Sequence, residues 1–526
     1  MKLLGPPALA ALSIAASCGG QPEPPPLLTP PSRDGWAPDS AWPGFTLIAP
    51  LQSKRVYLVD MSGTAVHSWA TASKPGVATY LTERGTLLKC QRVLDHPIFQ
   101  DAGGHGGWMQ EIDWDGTVLW DFRWDSEEGL THHDVAPMPN GNVLAIAWDR
   151  TTRDVALAAG RDPELLEGEE FWGGAVYEFR PTPPEGAEVV WSWHALDHVI
   201  QNFDPDLPNF GDPAEHPERI DINGDRDPDP PDEEEEAELE DQMAAIGYAG
   251  GDDEPEEDEE EEEDPEKAAR RARVKGADWL HTNGIDYNPA LDQIALSVRR
   301  YDEVWIIDHG TTTAEAAGPQ GDLLYRWGNP FAYRMGLWEE RQLLGQHHVQ
   351  WIPEGYLGAG NLIVFNNGAR PREHSSVDEW WAPRDASGRY SREEDRPWGP
   401  ERPDWTYVAE EPEDFYSAFI SGAQRLPNGN TLICAGAQGW VFEVTPGGET
   451  VWDWKSPYGP EPGEEEEDMR EMPTALFRAT RFAADHPGIA ALRARGAPIP
   501  ADPGTGPATN QYEPPPEEAE EEPEEE

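Results

Sequence analysis

The string Pro139-Asn140-Gly141-Asn142-Val143-Leu144 returns almost letter for letter, far down the chain, as Pro427-Asn428-Gly429-Asn430-Thr431-Leu432. Asn-Gly between apolar runs favours a tight hairpin, because both residues tolerate positive φ. Looser copies are Arg84-Gly85-Thr86-Leu87-Leu88, Leu291-Asp292-Gln293-Ile294-Ala295-Leu296 and Gly360-Asn361-Leu362-Ile363-Val364. A second unit alternates with the first: a turn, then a strand ending in tryptophan. It runs from Gly63 to Trp69, Gly116 to Trp120, Gly186 to Trp191, Gly321 to Trp327 and Gly448 to Trp452. A copy of such a unit cannot bury its apolar face alone, so copies must pack against one another. Short strands, regular turns and several repeats predict an all-β fold, a β-propeller of six blades. A sandwich of two sheets is the alternative. The strands around Phe45–Ile48 and Val56–Val59 are expected to complete the last blade and close the ring.

One gap between copies is too long, and it is filled with acid. The runs Asp232–Glu236, Glu256–Asp264 and Glu517–Glu526 supply much of a formal net charge of −62. They offer too little apolar surface to offset the entropy of ordering, so a disordered insertion and a disordered acidic tail are expected. So acidic a chain repels nucleic acid and anionic lipid, which excludes both as partners. The organisation expected is a signal over 1–18, a Pro-rich tether over 19–39 and a first propeller part over 40–204. An acidic insertion follows over 205–275, then a second propeller part over 276–460 and a C-terminal extension over 461–526.

Met1–Cys18 has the composition of an export signal: Lys2 ahead of an apolar stretch from Leu3 to Ala16, too short to span a membrane. It ends in Ala15-Ala16-Ser17-Cys18, followed by Gly19-Gly20 and the Pro-rich stretch. Small residues before a cysteine and a tether after it resemble a bacterial lipoprotein signal, although Ala15 stands where Leu is usual. The expectation is an exported protein, lipid-anchored through Cys18, with simple secretion as the alternative. Cys90 and Cys434 each lie in a strand-like run and read as buried core thiols. A disulfide between them stays open, since spacing alone does not say whether they meet.

Just ahead of the hairpin unit, several repeats carry a polar residue at a matched offset. His133 stands six residues before Pro139, His347 six before Pro353 and Ser421 six before Pro427, while His281 stands eight before Pro289. The first strand of a propeller blade lines the central channel, so one repeat position converges on the axis from every blade. His133, His281 and His347 are therefore candidates for a single site. Arg299 joins them through Ser297-Val298-Arg299, the return strand of the hairpin that begins at His281-Thr282-Asn283. A long cation beside neutral imidazoles suits an anionic group such as sulfate or phosphate.

The strings His132-His133-Asp134-Val135, His281-Thr282-Asn283 with Ser297-Val298-Arg299, and Gln346-His347-His348 followed by Asn361-Leu362-Ile363-Val364-Phe365 resemble the arylsulfotransferase family. The resemblance covers roughly residues 40 to 460 outside the acidic insertion. It implies an exported bacterial propeller that moves a sulfuryl group from a phenolic sulfate ester to a phenol, with no nucleotide sulfate donor and no cofactor. By the resemblance His347 is the nucleophile that is transiently sulfated, in a ping-pong reaction. His133, His281, Asn283 and Arg299 surround the sulfuryl oxygens. The chain departs from the family pattern at Gly284, where Ser is usual, and at His348, where Asp or Thr is usual.

Three other readings compete. A silent surface propeller that binds a ligand or protein through the same channel is the first. The second makes His133, His281 and His347 ligands of a transition metal, with no carboxylate in matching register. The third concerns Asp221-Ile222-Asn223-Gly224-Asp225-Arg226-Asp227, which resembles the opening of a calcium loop with Arg226 where Gly is required. A solvated acidic loop is the alternative there.

Overall fold

The computed structural model describes residues 26–504, apart from 34, 94–95, 101, 231–234, 236–238, 240–241, 244–247, 249–264 and 461–473. The expected signal with Cys18 and the acidic tail lie outside the described residues. Six antiparallel sheets stand in a ring as the blades of a β-propeller, as the repeat predicts. From the axis outward, blade one is Leu476–Phe482, Phe45–Pro50, Arg55–Val59 and Ala65–Ala70. Blades two to six begin at the axis with Pro75–Leu81, Gly129–Pro137, Thr282–Asn288, His347–Trp351 and Gly422–Arg425.

Closure differs from the expectation in one respect. The N-terminal strands do sit in the closing blade, yet its axial strand comes from beyond residue 460, with Leu47 opposite Thr480 and Phe45 opposite Phe482. The propeller therefore does not end at 460. Leu476 and Phe477 are buried, so the strand has a face to bury on each side.

The recurring tryptophans explain how the blades hold together. Trp69, Trp120, Trp191, Trp327 and Trp452 lie on outermost strands and are buried; Trp405 holds the same place in blade five, half-buried. Each indole N–H reaches the following blade. Trp69 donates to Asp113 O (3.2 Å), Trp120 to Gly186 O (2.7 Å) and Trp191 to Thr311 Oγ1 (3.3 Å). Trp327 donates to Pro400 O (2.7 Å), Trp405 to Pro446 O (3.0 Å) and Trp452 to Met61 O (3.0 Å). The last bond returns to blade one, so these donors form a closed circuit. Buried indole nitrogens need such partners, and here the need is met between blades rather than within them.

Buried ion pairs reinforce the seams. Arg481 on the closing strand pairs with Glu443 of blade six at 2.5 Å, and Arg425 of blade six pairs with Glu379 of blade five. Both pairs have fully buried side chains. The asparagines of the hairpin unit serve the same glutamates: Asn361 donates to Glu379 (2.7 Å) and Asn430 to Glu443 (2.6 Å). The Asn that makes the repeat visible is thus also a partner for a buried charge.

Part of the expected disordered insertion is folded. Residues 205–230 pack on the ring through Ile220 and Ile222, both fully buried. Ile200 and Val199 pair in parallel with Asp221 and Ile220. Two acids of this stretch are paired with arginines: Asp225 with Arg161 (2.7 Å for its Oδ2), and Asp221 with Arg334 at 3.1 Å. Asn223 accepts from Asp162 N at 2.8 Å and donates to Gly160 O at 3.0 Å. The oxygens of Asp221, Asn223 and Asp225 that suggested a calcium loop are spent on protein partners, and the loop is buried from Asp221 to Gly224 while Arg226 and Asp227 are exposed. Further on, Pro265–Val274 is a helix. Cys90 and Cys434 are buried free thiols on the second strands of blades two and six.

Candidate active site at the propeller axis

The axial strands of blades three, four, five and six share an irregularity. His133 (φ 54°), His281 (φ 45°), His348 (φ 58°), Ile420 (φ 52°) and Ser421 (φ 83°) all adopt left-handed backbone. In blades three to five the register slips at the same place, between Ala145 and Ala147, Thr282 and Gly284, and His347 and Gln350. Bulges of this kind re-aim side chains, and a bulky residue at positive φ costs roughly 1–3 kcal/mol. The fold carries that strain at the matched-offset residues His133, His281 and Ser421, and in blade five at His348, next to His347.

The result is a buried cluster of imidazoles. The rings of His133 and His281 lie 4.6 Å apart, and Phe477 of the closing strand contacts both His133 (6.5 Å) and His347 (6.4 Å). His133 and His347 are fully buried. Burial holds both well below the usual histidine range, and the Arg299 guanidinium acts on each in the same direction. Neutral imidazoles are the consequence.

The hydrogen bonds of His347 decide which nitrogen is free. Its Nδ1 lies 2.7 Å from Asn367 Oδ1 and 3.1 Å from Gly345 O. Asn367 Nδ2 donates to Ser417 O (2.7 Å) and Ile420 O (3.0 Å), which fixes the amide with its oxygen toward the ring. Nδ1 must therefore carry the proton, and Nε2 holds a lone pair. That Nε2 is buried without a partner among the described residues. His348, next along the chain, faces elsewhere: its Nδ1 accepts from Ala423 N of blade six at 3.2 Å.

His281 is backed by a carboxylate. Its Nδ1 is 2.5 Å from Asp278 Oδ2, and Asp278 is steadied by Trp148 Nε1 at 2.9 Å. Burial lowers the pKa of His281 while Asp278 opposes that shift. The carboxyl of Asp278 is buried, which alone would raise its pKa, yet His281 holds it below the usual range. His133 has its Nδ1 2.6 Å from Nδ1 of His132, which stacks on Trp148 at 4.0 Å and is pushed down to about 3 by burial. Asp134 is turned away from the cluster, bound to Arg478 (2.8 Å) and Tyr80 (2.6 Å).

Arg299 follows the strand Gln293–Val298 and has no carboxylate within ion-pair distance among the described residues. Asn283 donates one N–H to Gln346 O at 2.8 Å, which Ser297 Oγ also approaches at 3.2 Å. Both residues thereby brace the main chain that leads into His347. Gln346 is buried and donates to Glu303 O (2.8 Å) and Val298 O (3.2 Å). Its place is structural. The two departures from the family pattern meet in space: a Cβ on Gly284 would sit 3.2 Å from His348 N and 3.4 Å from its Cα.

Sequence reasoning did not find Asp278, Asn367, Phe477 or Tyr248. The first stands three residues before His281, and the second lies just past the quoted strand Asn361–Phe365. Tyr248 is the least expected. It comes from the acidic insertion, is 1% exposed, and places its hydroxyl 2.6 Å from His133 Nε2 and 3.3 Å from His281 Nε2. Gly103 and Gly104 make room: a Cβ on the first would lie 2.8 Å from the Tyr248 ring, and on the second 2.3 Å from His133 Nε2.

The family model for arylsulfotransferase (ASST) matches residues 186–456, more than half of the 526 residues. No curated protein sequence matches the chain at a significant level. Among solved structures, a protein of unknown function from Bacteroides caccae is 10% identical, with a TM-score of 0.40, covering 84% of this chain and 99% of its own. A putative 6-phosphogluconolactonase from Bacteroides uniformis is also 10% identical, with a TM-score of 0.36 and the same coverage, 84% and 99%. Identities of this order say nothing about chemistry.

Proposed function

Because the chain belongs to the arylsulfotransferase family, we propose that it moves a sulfuryl group from a phenolic sulfate ester to a phenol in two half-reactions through a sulfated His347. The observation that carries this reading is the fixed tautomer of His347. Asn367 holds the proton on Nδ1, and Nε2 is left buried, neutral and unpartnered. A nucleophile needs such a lone pair; His132 Nε2 is likewise buried without a partner among the described residues, but its ring stacks on Trp148 and no amide fixes its proton.

In the first half-reaction His347 Nε2 attacks sulfur; the N–S bond forms as the aryl S–O bond breaks. The leaving phenolate, whose parent acid has a pKa of ~10, takes a proton from a neighbouring imidazole. His281 suits that task, since Asp278 stabilises its imidazolium and orients the ring. Arg299 and the second N–H of Asn283 suit the equatorial sulfuryl oxygens, where charge accumulates, as in phosphoryl transfer. In the second half-reaction an acceptor phenol gives its proton to the same histidine and takes the sulfuryl group, and His347 regains its lone pair. The residues alone suffice for this chemistry, with no cofactor. The reading also includes export and lipid anchoring at Cys18, tested by loss of labelling with radioactive palmitate in Cys18→Ser.

The deciding assay uses p-nitrophenyl sulfate with phenol, wild type against His347→Ala. Acceptor-dependent release of p-nitrophenol that vanishes in the variant is expected. Turnover that survives in the variant moves the nucleophile to another histidine. No turnover in either, across a panel of phenols, leaves a ligand-binding propeller.

A further inference from the structure

Tyr248 puts a phenol where the proposed reaction requires one. Among the described residues its hydroxyl bonds only to histidines of the site: His133 Nε2 at 2.6 Å and His281 Nε2 at 3.3 Å. Its ring runs nearly parallel to that of Phe419, 6.4 Å away, and belongs to one apolar cluster with Phe477, the ring against which His347 packs. Arg299 acts electrostatically on both Tyr248 and His347. The segment is seated by its main chain, with Gly104 N donating to Tyr248 O at 3.1 Å and Gly104 O accepting from His133 N at 2.8 Å. Leu239 and Met243 of the same insertion pack on that cluster. A core tyrosine commonly spends its hydroxyl on a carbonyl or a carboxylate. This one spends it on two imidazoles of the site described above.

We infer that Tyr248 is a modification site, a peptidyl tyrosine that accepts a sulfuryl group from His347. The inference rests on the reading of the site as a sulfuryl transferase and names a class of acceptor for it. The step balances. The N–S bond of sulfated His347 breaks, a bond forms between sulfur and Tyr248 Oη, and the phenolic proton passes to His133 Nε2. His347 Nε2 recovers its lone pair. The aryl sulfate supplies the sulfuryl group in the preceding half-reaction and leaves as a phenol. Tyr248 and an aryl sulfate compete for the same imidazoles. Burial raises the Tyr248 pKa, so its hydroxyl arrives protonated and needs the base that lies beside it.

The test incubates the full chain with p-nitrophenyl sulfate and no acceptor, then maps sulfated peptides by electron-transfer mass spectrometry. A sulfuryl group on Tyr248 in wild type, absent in His347→Ala, is expected. Tyr248→Phe should carry the group on His347 only, and Tyr248→Ala, with the competing ring removed, should show a several-fold lower KM for the donor. Unchanged melting temperatures show that these variants fold. Turnover of free phenol with Tyr248 unmodified overturns this inference and leaves the transferase standing. A mark on Tyr248 that persists in His347→Ala overturns the route through His347. Neither turnover nor mark overturns both.

Discussion

Asp278 Oδ2 lies 2.5 Å from His281 Nδ1, in a site where burial holds His133, His281 and His347 all below the usual histidine range and Asp278 opposes that shift at His281. An anionic partner stabilises an imidazolium, so this pairing distinguishes His281 from the rest as the group suited to exchange a proton.

Asp278→Asn tests that role. Turnover of phenyl sulfate should fall by about 10²-fold or more, the lower range for a lost acid–base group. p-Nitrophenyl sulfate, whose leaving group needs little help from a proton, should suffer far less. A plot of log kcat against leaving-group pKa reads the difference. Equal losses for both esters would assign Asp278 to folding alone.

Asn367→Leu removes the acceptor that fixes His347 Nδ1–H. Supporting groups of this kind are worth about 10–100-fold. The loss should fall on kcat/KM for every donor alike, and Asn367→Asp, which keeps the oxygen, should restore part of it. A rapid-quench measurement of His347 sulfation separates this from a defect in acceptor binding.

The pH profile follows from burial. His347 is held well below 6.5 by desolvation first and Arg299 second, so its neutral form persists as pH falls through 6.5. The acid limb of kcat/KM for the donor should therefore lie below pH ~6, where an ordinary imidazole would already be charged. In Arg299→Gln the limb should move toward neutrality, alongside a large loss of rate.

Stability should show the same groups. His132, His133, His347 and His348 all have folded pKa values below that of an exposed imidazole. Below pH ~6.5 the unfolded chain takes up protons that the folded chain refuses, so stability falls as pH falls. Each such histidine contributes up to about 1.4 kcal/mol per pH unit in that range. Melting temperatures between pH 7 and pH 5 would reveal it, and His348→Gln should flatten the slope.

The seams give the last prediction. Arg481→Leu leaves Glu443 charged and buried and should cost about 3–5 kcal/mol, while adding Glu443→Leu should recover most of it. Denaturant titrations of the single and double variants measure the coupling. Trp452→Phe, which shrinks the buried ring and drops the bond to Met61 O, should cost about 1–3 kcal/mol.

The blades and the three axial histidines were legible because repeat position maps onto place in a propeller. His133 and His347 each stand six residues before a Pro of the hairpin unit, and His281 eight before Pro289 with a longer turn following. The closing strand did not, since Leu476–Phe482 carries neither the Asn-Gly turn nor the terminal Trp of the repeats. Asp278 and Asn367 lay a few residues from quoted motifs, but a carboxylate before a histidine and an amide after a strand are common in any sequence. Tyr248 was hidden by its surroundings. An acidic tract reads as solvated polymer, and one aromatic within it carries no register to compare.

The strand that lines the axis of blade one is nearly the last part of the ring to leave the ribosome, yet it pairs with Phe45–Pro50, which is among the first. It also brings Phe477 to the histidines. A nascent chain that has already built five blades still lacks one wall of the candidate site. The cluster is complete only once Leu476–Phe482 has been made, so a chain cut short upstream of Leu476 is an open arc without Phe477 beside its histidines.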